Sequence, residues 1–156
     1  MQVVARWNVN DDLILKKRGL DPGGYGQKWL DNEVIRQMDP YTPDLNGVLK
    51  LSIRYGSVIG SGHLVQATPY ARYQYYGVLY VDPFTLKGSF YDPKTGRHWS
   101  RPGVSKIRDP AGRLLKYNQS KSFKAGSHWF DRMKADKKDQ ILQGYAKIVG
   151  GKPVAK

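Results

Sequence analysis

Two stretches of this chain repeat their apolar residues at helical spacing, and glycine and proline punctuate much of what lies between them. Leu30, Val34, Met38 and Tyr41 recur at intervals of four, four and three, with Ile35 beside Val34. That pattern puts one apolar stripe along a helix. Asp21 and Pro22 match an N-cap followed by proline at the first helical position. Pro40 disfavours helical geometry in the residue before it, so this helix is expected to end near Asp39. The second stripe is Phe130, Met133, Ile141, Leu142, Tyr145, Ile148 and Val149, interrupted by the polar "KADKKDQ". Ser127 opens it and Gly150 and Gly151 end it. Two principal helices must bury their stripes against something, and the short branched and aromatic runs elsewhere supply a small antiparallel sheet. The expected fold class is α+β, with a long basic insertion loop.

Pro43, Asp44, Asn46 and Gly47 form a turn cluster, after which Leu45, Leu49 and Ile53 suggest a helical turn before a strand. "IRYGSVIG" and "HLVQAT" flank Ser61 and Gly62 and read as a hairpin, with Gly56 permitting a bulge or a close backbone approach. Thr68 and Pro69 repeat the helix-start signal and Gly77 is a stop, so "PYARYQYYG" reads as two helical turns. Its tyrosines then cover most of a short helix's circumference. "VLYVDPFTLKGSFYDPKTGRHW" carries two Asp-Pro turns and reads as an irregular hairpin. The segment 94–126 is loop-like, and "RLLKY" at 113–117 is its strongest strand candidate. At the ends, "VVARWNV" is an edge-strand candidate, "KKRG" a solvated turn and "KPVAK" a disordered tail.

A length of 156 residues suits one domain with a single core. Within it the expected parts are an N-terminal arm at 1–20, an insertion at 78–126 and the C-terminal helix at 127–149. No run of about 18 apolar residues occurs, so no membrane partner is expected. The start of the chain lacks a signal-peptide core. With no cysteine there is neither a disulfide nor a thiolate metal site.

Charge is more informative. The formal net charge is +13, from 26 basic and 13 acidic side chains. Residues 1–93 hold 10 basic and 9 acidic side chains, a net +1, whereas residues 94–156 hold 16 and 4, a net +12. Such asymmetry points to a polyanion or an acidic protein surface as partner, against a solvated face that serves solubility alone.

Catalytic patterns are absent. His63, His98 and His128 lack the close spacing of a zinc helix, and a histidine in "SHWF" or "RHWS" reads as packing or capping. Glu33 is the only glutamate, which leaves a paired-carboxylate site without support. "GSGH" at 60–63 lacks the glycine-flanked serine of a nucleophile elbow. "DPGGYGQK" is neither a phosphate loop nor a dinucleotide fingerprint. No enzyme activity and no cofactor are expected. Basic residues interleaved with aromatics keep non-specific nucleic-acid binding open as an alternative function, although no helix-turn-helix or RNA-recognition signature appears.

Four stretches in order carry a resemblance: "LDPGGYGQKWLDNEVIRQM", "DPYTPDLNGVLKLSI", "TPYARYQYYG" and "AGSHWFDRMKADKKDQILQGYAKIVGG". Together they resemble the minor capsid protein family of tailed phages infecting Gram-positive bacteria, which is similar to the neck and tail-completion proteins of long-tailed phages. The positions that match the broader pattern are Pro43, Gly47, Leu49, Ser52 and Ile53, then Tyr70, Ala71, Tyr73 and Gly77. The broader pattern often has an acidic residue where this chain has Tyr76. The resemblance implies a small α+β structural subunit, a homo-oligomeric ring at the head–tail connection, in a virion assembled in the host cytoplasm. Its implied partners are further copies of itself and the portal-side connector and tail-side proteins, with transient contact to genomic DNA. In such a ring, Tyr75 and Tyr76 with Arg72 are the expected subunit interface, with Tyr70 and Tyr73 packed inward. The opposing expectation is that all four tyrosines close the subunit's own core. Lys94, Arg97, Arg101, Lys106, Arg108, Arg113 and Lys116 form the expected basic docking loop, facing passing DNA or an acidic ring.

Overall fold

Residues 11–151 are described by a computed structural model. In chain order they form α1 Asp11–Lys17, α2 Tyr25–Met38, α3 Val48–Gly56, α4 Ala71–Tyr76, β1 Tyr80–Val81, β2 Phe90–Asp92, β3 Arg97–Trp99, β4 Ile107–Arg108 and α5 Trp129–Val149. The class is α+β, and α2 and α5, the two principal helices, pack against each other. The edge strand expected in "VVARWNV" and the disorder expected in "KPVAK" lie outside the described residues. Within the expected arm, residues 11–17 are helical, with acidic residues at the start and Lys16 and Lys17 in the last turn, as the helix dipole favours.

Helix α2 starts later than the Asp-Pro signal suggests. Asp21 and Pro22 lie in a turn in which the Asp21 carbonyl accepts the Gly24 N–H at 2.8 Å. The N-cap is Gly24, without a side-chain cap. The stripe faces inward as its spacing requires: Met38 and Tyr41 are buried, and Leu30, Val34 and Ile35 pack against the same cluster. Helix α5 contributes Trp129, Met133 and Ile141 to that cluster, and α3 contributes Leu49 and Ile53. The two long helices meet where Trp29 and Tyr145 hold their ring centroids 6.2 Å apart. Beside them a Cβ on Gly144 would lie 2.7 Å from the Trp29 ring, so only glycine allows this approach.

The hairpin expected from "IRYGSVIG" and "HLVQAT" is not formed. Leu49, Ser52 and Ile53 are buried on one helical face, and the helix runs on to Gly56 because that face meets the core. The following loop is held by side chains instead of a strand ladder. Asp31, almost fully buried on α2, accepts the N–H groups of Gly60 at 2.7 Å and Gly62 at 3.2 Å. Ser57 Oγ accepts the Val65 N–H at 2.8 Å. The close backbone approach at Gly56 is real: a Cβ there would sit 2.5 Å from the Val65 carbonyl oxygen.

The expected single sheet is two separate antiparallel ribbons, β1 with β4 and β2 with β3. β1 pairs Tyr80 with Arg108 and Val81 with Ile107, while β2 pairs Phe90, Tyr91 and Asp92 with Trp99, His98 and Arg97. "RLLKY" is not a strand. Leu114 makes one isolated bridge to Val78, and the Leu115 N–H donates to Gly77. Arg113 is drawn away to Asp109, and Ile107–Arg108 takes the strand position beside β1.

Candidate assembly surface

Helix α4 is the two-turn element predicted from its proline and glycine boundaries, and it ends on Gly77 in the left-handed region at φ 68°. Six residues cannot bury all their tyrosines, and the split differs from the expected one. Tyr75 turns inward. Its ring meets Trp129 edge-on at 4.9 Å, and its hydroxyl donates to Asp131 on α5 at 2.7 Å. Burial, then the Asp131 carboxylate, push the Tyr75 phenol up to about 12. The outward placement expected for Tyr75 is thus corrected; of the two expected inward, Tyr70 is 40% exposed, and Tyr73 packs edge-on against Tyr80 of β1 at 4.7 Å while remaining 45% exposed. Tyr76 is 53% exposed, and Arg72 beside it is also exposed. His128, at the start of α5, packs against both Tyr75 and Tyr76 with centroid distances of 5.2 and 5.7 Å, and the two tyrosine rings meet edge-on at 5.4 Å.

Two open cavities flank α4 and share Tyr70 and Gln74. One, of about 500 Å³, runs past Leu45, Leu49, Tyr117 and Lys116. The other, of about 700 Å³, runs past Tyr73, Tyr80, Leu115 and Lys106. Tyr70 and Tyr73 therefore lie along a trough with apolar walls and a lysine on each side.

The basic segment divides into two sets. Arg101, Lys106 and Arg113 are engaged within the subunit. Arg101 lies 3.5 Å from Asp82 and over the rings of Phe84 and Phe90. Lys106 Nζ donates to the Gly88 carbonyl. Arg113 grips Asp109 through Nε at 2.8 Å and Nη2 at 3.0 Å, and reaches the Leu86 carbonyl. That guanidinium holds the Asp109 carboxyl down at about 2, against the upward push of burial. At Asp82 burial pushes the carboxyl up, but the N–H groups of Phe84 and Thr85 and nearby Arg101 outweigh it, leaving it below the usual range. Lys94, Arg97, Arg108 and Lys116 are exposed, and among the described residues their side chains have no hydrogen-bond or ion-pair partner.

Further basic residues close the segment onto the helices. Lys121 pairs with Asp44 at 3.0 Å. Lys124 donates to the Tyr41 hydroxyl at 2.9 Å, and that hydroxyl donates to Asp136 on α5 at 2.6 Å. Sequence reasoning missed the exposed aromatics Tyr91 and Trp99, which the β2–β3 register sets among the cations. The alternation of Trp99 with Arg97 in "RHW" was the available signal. Among the described residues no group of three or more His, Asp or Glu gathers as a metal site. No helix there is long and apolar enough to cross a membrane.

The family model described as "Minor capsid protein" matches residues 24–116, more than half of the chain, from the start of α2 through the basic segment to Lys116. No curated protein and no solved structure matches.

Proposed function

This chain belongs to the minor capsid protein family, whose members are structural proteins of the phage virion, and on that premise we propose that it is a ring-forming component of the neck joining head to tail. A structural family argues against a catalytic role. One observation carries the ring reading: α4 exposes Tyr70, Tyr73 and Tyr76 around a Tyr75 anchored on Trp129 and Asp131. A rigidly based tyrosine surface offers large contact area at low rotamer cost, which suits a repeated subunit contact. In this reading Tyr76 and Arg72 meet the adjacent copy, joined by Tyr70 and Tyr73, and Tyr75 fixes the helix that presents them. Arg108 and Lys116, near the lysine-flanked trough, dock an acidic portal-side or tail-side ring.

The alternative, a non-specific nucleic-acid-binding protein, draws on the same unpaired cations. Purified particles separate the two. Absolute copy number by mass spectrometry, with antibody labelling in electron microscopy, is expected to give a low, ring-like number at the head–tail junction. Hundreds of copies over the shell, or absence from the particle, would sink the neck reading.

A further inference from the structure

The β2–β3 hairpin carries Lys94 and Arg97, two unpaired cations that the ring and docking contacts proposed above leave unused, and its chemistry is specific. Its tip is stiffened by Asp92, whose carboxylate accepts the Lys94 N–H at 2.9 Å and the Thr95 hydroxyl at 2.8 Å. Asp92 faces Arg97 in the register yet forms no ion pair with it. Lys94 at the turn and Arg97 at its end therefore keep their full charge outward. Directly opposed residues share a face of a ribbon, so Arg97 lies on the same side as Phe90 and Trp99, and Tyr91 and His98 form the other side. Arg101 continues the first face, its guanidinium 5.6 Å from the Phe90 centroid.

The rings are already partnered. Phe90 stacks on Trp99 at 4.7 Å with planes 26° apart, and Tyr91 lies 5.1 Å from His98. Each pair leaves a base only the outer face of an exposed ring such as Trp99 or Tyr91, and no slot between two rings of the kind that grips a splayed base. Exposed ion pairs to a protein carboxylate contribute little each, whereas contacts to the phosphates of a duplex release condensed counterions and require no shape match. A two-stranded ribbon is also narrow enough to enter the major groove between phosphate rows. We propose that the β2–β3 hairpin is a sequence-independent contact for the phosphodiester backbone of duplex DNA, with Lys94 and Arg97 meeting phosphates and the aromatic pairs holding the ribbon rigid. The contact is a property of the single subunit and does not depend on the ring reading.

The test is fluorescence anisotropy of a labelled 30-base-pair duplex with the full chain across a range of salt, repeated with a single strand of equal length and with polyglutamate as competitor. The double variant Lys94→Gln/Arg97→Gln is expected to weaken duplex binding severalfold at low salt and to reduce the salt slope by about two, at roughly 0.9 per phosphate contact. Its melting temperature should stay unchanged. Lys134→Gln/Lys138→Gln, which removes the same charge from exposed positions on α5, should leave the slope as it is. Equal losses in both double variants, or an unaltered slope in the first, would overturn the proposal. Tighter binding of the single strand would overturn it in favour of base stacking, and preferential displacement by polyglutamate in favour of an acidic protein.

Discussion

Tyr75 shows how one residue can serve a surface without being on it. Its hydroxyl spans from α4 to Asp131 while its ring closes over Trp129. Tyr75→Phe keeps the ring and loses one partly exposed hydrogen bond, so it should cost about 0.5–1 kcal/mol at neutral pH. The folded phenol titrates near 12, above its ordinary value of 10. A raised folded pKa means the bond's contribution is complete below pH 10 and is lost as pH rises through 12. Chemical denaturation of the native and Tyr75→Phe proteins across that window should show their difference shrinking. A constant difference would mean that the hydroxyl does not carry the coupling. The inward turn of this tyrosine was not legible in the sequence. On a helix of six residues the tyrosines point nearly all round, and the choice between them depends on Trp129, which lies 54 positions further along the chain.

Among the elements, the two long helices were legible because their apolar spacing is local and repeats over several turns. The hairpin predicted between them was not. Leu49 and Ile53 fit a helix of nine residues as readily as a turn followed by a strand, and the core settled the matter by taking both with Ser52 on one face. Asp31 then replaced a strand ladder, a role that no spacing rule anticipates for a lone aspartate on a helix. Gly144 is similar: in the sequence it resembles a weak point in α5, and in the fold it is the contact with Trp29. Gly144→Ala gains about 1 kcal/mol of helix propensity but forces a methyl to within 2.7 Å of an indole that packs on Tyr145. Overpacking of this kind costs about 1–3 kcal/mol, so a net loss of about 1 kcal/mol is expected in denaturant titration. Trp29→Phe in the same chain should recover part of it, because the extra ring atoms are those nearest position 144. Additive losses in the double variant would show that the glycine is kept for some other reason.

For the whole molecule, the total charge was legible and its division was not. Counting cations cannot reveal that Arg101, Lys106 and Arg113 hold the insertion together while Lys94, Arg97, Arg108 and Lys116 remain unpaired, because that depends on where Asp82, Asp109 and the Gly88 carbonyl fall. The net charge of +13 also sets copies of the chain against one another. Self-repulsion of that size opposes a ring and is screened by salt, with a Debye length of about 10 Å at 0.1 M. Contacts between copies through the exposed α4 tyrosines should therefore strengthen as salt rises, opposite to the salt response of a phosphate contact. Sedimentation velocity of the purified chain at low and high salt is expected to show that rise. A central aromatic anchor of an interface is worth about 2 kcal/mol or more, roughly a thirtyfold change in association. Tyr76→Ala, more than half exposed in the subunit, should then abolish the rise and reduce incorporation into particles, with only a small fall in melting temperature from its lost contacts with Tyr75 and His128. A Tyr76→Ala protein that associates and is incorporated like the native chain would show that α4 presents its tyrosines to something other than a second copy.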